Sequence, residues 1–116
     1  MADAIRWEAL VLTELGYGLD LAACAVTGAI GGLTHVSPRT GRAVSGEAAA
    51  PYLDRLLPLP AFLLDDADPG TPADWDAGLR LTGHFLERDA FGARHRPVPE
   101  ARHRLADRVA ALAASV

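Results

Sequence analysis

Apolar residues recur at helical spacing in three stretches of the chain. Over residues 3–15, Ala4, Trp7, Val11 and Leu15 fall on one stripe, with Leu10 and Leu12 widening it. Few polar positions remain, so this helix is expected at the centre of the core. Gly16 and Gly18 end it, as residues tolerant of positive φ. A second row, Trp75, Leu79, Thr82 and Leu86, is broadened by Leu81 and Phe85, while Asp76, Arg80, His84 and Glu87 make the wet face. Its start is written in Thr71-Pro72-Ala73-Asp74: Thr71 caps, Pro72 suits the first helical position, and Asp74 serves as the capping-box acid. This helix is expected to run to about Asp89. After the Gly92 loop and Pro97/Pro99, a last helix covers residues 99–114, with Ala101, Leu105, Val109 and Leu112 on its core side.

The pattern between these helices is different. Residues 19–32 are irregular, with turns at Gly28, Gly31 and Gly32. Leu33 to Ser37 and Arg42 to Ser45 then flank the turn Pro38-Arg39-Thr40-Gly41, which predicts a hairpin. Residues 47–57 suggest a further helix, with Pro51 allowed only near its first turn. The segment PLPAFLLDDADPG reads as a loop whose acidic run is a solvated surface. The expected fold is mainly α, a small helical bundle with an inserted short β-hairpin. Its three main helices are expected to pack through Trp7, Val11, Trp75, Leu79, Phe85, Leu105 and Val109. Neither an internal repeat nor a linker divides the 116 residues, so one domain is expected over 1–116.

Composition narrows the class. Half the residues are hydrophobic, which opposes disorder, and alanine and leucine favour helices. No apolar run approaches the ~20 residues needed to cross a bilayer. The opening MADAIRWEALVL lacks the basic-then-apolar order of a secretory signal, so a cytoplasmic protein is expected. A single cysteine, Cys24, cannot form an internal disulfide.

The net charge of -4 argues against a dedicated nucleic-acid binder. The charge is unevenly spread: residues 1–79 hold four arginines and eleven acids, residues 80–116 seven arginines and four acids. All eleven basic residues are arginine, the side chain suited to gripping carboxylates and phosphates with a planar fork. The late cluster Arg88, Arg94, His95, Arg96, Arg102, His103, Arg104 and Arg108 is either an ordinary charged face or a site for an anionic partner, a carboxylate-ended peptide or a nucleic-acid backbone.

Other chemistry finds little support. Cys24, His35, His84, His95 and His103 include no close pair at zinc spacing, so no metal or other cofactor is expected. Cys24 sits among Ala22, Ala23, Ala25 and Val26, which suits an inert apolar residue better than a nucleophile. The glycines near Gly16 and Gly31 form no strand–GxGxxG–helix unit. An enzyme is not expected.

Several short motifs, in order, resemble the RecO family of DNA repair proteins. Arg6-Trp7-Glu8 opens the first helix, Leu15-Gly16-Tyr17-Gly18-Leu19-Asp20-Leu21 closes it, and Cys24 follows. Ser37-Pro38-Arg39-Thr40-Gly41-Arg42, Leu81-Thr82-Gly83-His84-Phe85-Leu86-Glu87-Arg88, and Arg96-Pro97 with Arg102 continue the likeness across roughly residues 5–110. The resemblance implies the C-terminal interaction domain of a recombination mediator of the RecF pathway. Such a protein acts with RecR and single-stranded DNA-binding protein to load RecA and anneal strands. Zinc-binding family members carry two CxxC pairs. Here these positions read Cys24-Ala25-Val26-Thr27 and Ser45-Gly46-Glu47-Ala48, so residues 23–50 are expected to form a metal-free, degenerate zinc-finger-like hairpin.

The family also has an N-terminal OB-fold that binds DNA. A chain starting at Met1-Ala2-Asp3 lacks it, which points to a fragment or a truncated reading frame and to weak, salt-dependent DNA binding at most. The family implies docking of the acidic, Phe-ended tail of single-stranded DNA-binding protein, for which Trp7, Leu10 and Phe85 are candidate walls and Arg6, Arg80 and Arg88 candidate clamps. The alternative is a small helical protein-binding or regulatory domain unrelated to repair.

Overall fold

The computed structural model describes residues 1–16, 19–91 and 98–115, with backbone only for 89–91. Three long helices and a small sheet make the framework: α1 (Ala2–Glu14), α3 (Pro72–Phe85) and α4 (Glu100–Ala114), with β1 (Leu33–Val36), β2 (Ala43–Ser45) and β3 (Leu57–Pro58). The fold is mainly α with a small hairpin-based sheet. Tyr17, Gly18, Gly92, Arg94, His95, Arg96 and Pro97, all of which carry sequence expectations, lie outside the described residues.

The start of α3 forms as its sequence dictates. Thr71 Oγ1 accepts from the Asp74 N–H at 3.3 Å, and Asp74 Oδ2 accepts from the Thr71 N–H at 2.9 Å, so two of the helix's orphan donors are satisfied reciprocally. Thr71→Ala is expected to cost about 1 kcal/mol, because it removes one of these acceptors. Urea unfolding of this variant against Thr71→Ser, which keeps the hydroxyl, measures the loss.

The hairpin also forms where the turn residues place it. Gly41, at φ +74°, donates its N–H to Ser37 O at 2.9 Å and closes the turn. β1 pairs antiparallel with β2 in the register Leu33↔Ser45 and Val36↔Ala43. It also pairs antiparallel with β3, through His35↔Pro58 and Val36↔Leu57. The sheet order is therefore β2-β1-β3.

Three expectations about the bounds and type of elements are corrected. The helix read over 47–57 is only α2 (Gly46–Ala49) followed by a 3-10 stretch (Ala50–Arg55), and the chain then enters β3. Pro51 lies within that stretch, and Tyr52 there has non-helical angles. The segment read as a loop from Pro58 contains a 3-10 turn, Ala61–Leu63, that buries Phe62 completely. α3 ends at Phe85 and continues as a π-helical turn, Leu86–Phe91.

The largest correction concerns α1. Its buried side chains are Ala2, Ile5, Ala9 and Leu12. Ala4, Trp7, Leu10 and Leu15 of the expected core stripe are exposed, and Val11 is half-buried. In α4, Val109 is buried and Leu105 partly so, but Ala101 and Leu112 face solvent.

Two clusters make the core. The larger joins Leu12 of α1 and Leu81, Phe85 and Leu86 of the α3 region to the inner face of the sheet, where Val36 and Ala43 are fully buried. The smaller gathers Ile5, Phe62, Leu79 and Val109, with Trp75 and Leu105 packed against it. Of the expected packing set, Leu79, Phe85 and Val109 are buried and Trp7 is not.

Candidate partner-binding site

The three candidate arginines serve different purposes. Arg6 ties α1 to the acidic loop: its Nε donates to Phe62 O at 2.9 Å, its Nη1 to Asp3 Oδ1 at 2.8 Å, and its Nη2 to the carbonyls of Asp65 and Asp68. Its guanidinium also lies 5.7 Å from the Phe62 ring centre. Arg88 donates to the carbonyls of Pro38 and Arg39 and stacks 5.0 Å from the Phe85 ring centre. Together with His84, whose Nε2 lies 2.9 Å from Pro38 O, it pins the hairpin turn to α3. Arg80 is 73% exposed and pairs only along one edge, with Asp76 at 3.2 Å, among the contacts described.

The candidate walls separate as well. Phe85 is fully buried, in edge contact with the His84 ring at 4.9 Å, so it is core and lines no open site. Trp7 and Leu10 are exposed on α1. Leu10 and Arg6 share a cleft of about 340 Å³ against Leu63 and Asp66. Arg80 instead lines a groove of about 290 Å³ between α3 and α4, with Leu79, His84, Val98, Arg102, His103 and Ala106 around it. The six residues therefore do not converge on one pocket.

Under this groove lies a polar network that sequence patterns did not assemble. Glu8 of α1 and Arg102 of α4 pair side-on, Nε to Oε2 at 2.8 Å and Nη2 to Oε1 at 2.9 Å. Arg102 Nη2 also reaches Leu79 O at 3.0 Å and Thr82 Oγ1 at 3.1 Å. Thr82 Oγ1 lies 2.7 Å from Glu8 Oε1. The pair is only 14% and 17% exposed, so it links three helices with each charge matched. Gly83 makes the approach possible, since a Cβ there would sit 2.9 Å from Arg102 Nη1. The available signal was Glu8 between the apolar positions Trp7 and Ala9 of α1 and Thr82 within an apolar row.

Cys24 is buried beside the start of α2. Its Sγ accepts from the N–H groups of Val26 and Thr27 at 3.4 Å each and of Ser45 at 3.3 Å. The Thr27 hydroxyl first, then the Ser45 N–H, hold its thiol below the usual value, at about 6, against the opposing effect of burial. Among the described residues no group of three His, Cys, Asp or Glu side chains could hold a metal ion. Nor is any described helix long and apolar enough to cross a membrane.

The family model described as "Recombination protein O C terminal" matches residues 1–97. The chain belongs to the RecO family. It is 68% identical over 111 residues to a DNA repair protein RecO of Granulibacter bethesdensis, covering 95% of this chain and 44% of the relative. It is 63% identical over 112 residues to that of Gluconacetobacter diazotrophicus, covering 97% and 44%. The Caulobacter vibrioides protein of the same name is 57% identical over 106 residues, covering 91% and 44%. No solved structure matches. The chain thus spans less than half the length of these relatives.

Proposed function

We propose that this chain is the C-terminal interaction half of a recombination mediator, a non-enzymatic protein that acts with RecR and single-stranded DNA-binding protein to load RecA and anneal strands. Family membership supports the repair context. The uneven charge supports a protein-docking role for this half, with direct DNA contact weak and strongly salt-dependent. In this reading residues 23–50 work as a metal-free hairpin, held by the hydrogen bonds that converge on Cys24.

The observation that carries the docking assignment is Arg80. It is 73% exposed and stands over a groove with an apolar floor of Leu79, Val98 and Ala106. An acidic tail ending in Phe needs both a cation for its carboxylates and an apolar recess for its ring. Arg6 and Arg88 are engaged with backbone carbonyls away from this groove's lining. Asp76 and Glu87 also line the groove, so ligand selection rests on geometry more than on bulk charge.

Titration of a labelled peptide ending in Asp-Phe is expected to saturate, and to weaken about tenfold or more with Arg80→Ala. The peptide without its terminal Phe is expected to weaken similarly. Arg6→Ala and Arg88→Ala, where they remain folded, are expected to leave affinity unchanged. Absence of saturable binding, or an unchanged affinity in Arg80→Ala, refutes the assignment.

A further inference from the structure

The groove between α3 and α4 carries its charges in a set order. Asp76, Arg80, Gly83 and Glu87 line it from the α3 side. At roughly 100° per residue their spacing puts them in one row along the helix. The row reads acid, cation, gap, acid, with Gly83 leaving its middle without a side chain. Asp76 stands 3.2 Å from Arg80 Nε, and its side chain is 23% exposed against 73% for Arg80. Across the groove, Arg102 is already matched by Glu8, which accepts from its Nε at 2.8 Å and its Nη2 at 2.9 Å. Among the described residues that line the groove, Arg80 thus holds the open arginine charge, with a carboxylate on either side of it along the helix.

We propose that Asp76 and Glu87 set the selectivity of this groove. They admit a ligand whose negative charge is gathered at one point, the carboxylate end of a peptide, and turn away an extended polyanion such as a nucleic-acid strand. The inference rests on the docking reading above and names what that site rejects. Its physical basis is the length of the row. At about 1.5 Å per residue, Asp76 and Glu87 lie roughly 16 Å apart along the axis. A duplex strand carries a phosphate about every 3.4 Å, so one lying along the groove brings phosphates against both carboxylates whichever of them sits on Arg80. Two like-charge contacts then oppose one favourable contact. A peptide end differs, because it can set a carboxylate on the Arg80 fork and its ring on Leu79, Val98 and Ala106 while the rest of its chain leaves the row. An exposed i,i+4 pair is weak, so Asp76 does not withhold the guanidinium from such a ligand. By composition the arginine-rich C-terminal part suits either anion, and the placement of two acids separates them at this groove.

The test uses the double variant Asp76→Asn with Glu87→Gln, which keeps shape and removes both charges. Both side chains reach solvent, so these isosteric changes leave the core untouched. A labelled oligothymidylate is titrated against this variant and the unchanged chain at one fixed salt concentration, since phosphate contacts weaken steeply with ionic strength. The variant is expected to bind the oligonucleotide at least about tenfold more tightly. The Asp-Phe peptide is expected to gain no more than about threefold. Glu14→Gln with Asp54→Asn, at two exposed acids outside the groove, makes the same change in net charge and is expected to raise oligonucleotide affinity less than about threefold. Adding Arg80→Ala to the groove variant is expected to abolish the gain. Unchanged oligonucleotide affinity in the groove variant overturns the proposal, and so does an equal gain by the peptide or by the control pair. A gain that survives Arg80→Ala also overturns it, because the strand then lies elsewhere. The oligonucleotide titration needs no peptide: absence of peptide binding to the unchanged chain sinks the docking reading, whereas absence of the oligonucleotide gain sinks the exclusion alone.

Discussion

Arg102→Ala is expected to destabilise the protein by about 3 kcal/mol, far more than a surface ion pair would. The variant leaves the Glu8 carboxylate largely buried, with Thr82 Oγ1 as its remaining described partner. It also frees the Leu79 carbonyl from its guanidinium contact. An uncompensated charge in this setting costs more than the pair contributes, because desolvation is no longer offset. The double variant Glu8→Met with Arg102→Met is expected to recover most of the loss, since apolar side chains of similar volume can fill the same space. Urea unfolding of both single variants and the double variant decides this. Near-additive losses would show that the pair acts through packing of its stems and not through charge.

That network also marks the limit of what sequence patterns reveal. Local signals were legible: the Thr71–Asp74 box, the Ser37–Gly41 turn and the inward row of α3 each depend on residues a few positions apart. Glu8 and Arg102 lie 94 positions apart, and no local pattern pairs them. Periodicity located α1 but placed its core on the stripe with Trp7 and Leu15, which faces outward, while Ala2, Ile5, Ala9 and Leu12 are the buried side. β3 was missed because two residues, one of them a proline, carry no alternation. The candidate site suffered from the same ambiguity. Phe85 fits both a core position and a pocket wall by spacing alone, and the structure buries it. Arg6, Arg80 and Arg88 look alike in sequence. Only the position of the backbone carbonyls from Phe62 and Arg39 separates two bracing arginines from one exposed on a groove.

Phe62→Ala is expected to destabilise at least as much as Arg102→Ala, by about 3–5 kcal/mol. Phe62 comes from a three-residue 3-10 turn, yet it is fully buried at the centre of the smaller core cluster with Ile5, Leu79 and Val109. Its ring also faces the Arg6 guanidinium, and its carbonyl accepts from Arg6 Nε, so the side chain anchors the whole acidic loop to α1. Gly78 of α3 shows how closely the ring fits: a Cβ there would come within 2.9 Å of Phe62 Cζ and 3.0 Å of Ile5 Cγ2. Gly78→Ala alone is therefore expected to destabilise by roughly 1–3 kcal/mol through overpacking. In a Phe62→Leu background the first of these clashes is gone, and Gly78→Ala is expected to cost distinctly less. The coupling is measured by a double-mutant cycle in urea, with Leu64→Ala, at an exposed position two residues along, as a control expected to change little. Additive effects at 62 and 78 would mean that the ring and the helix do not pack as closely as these distances require.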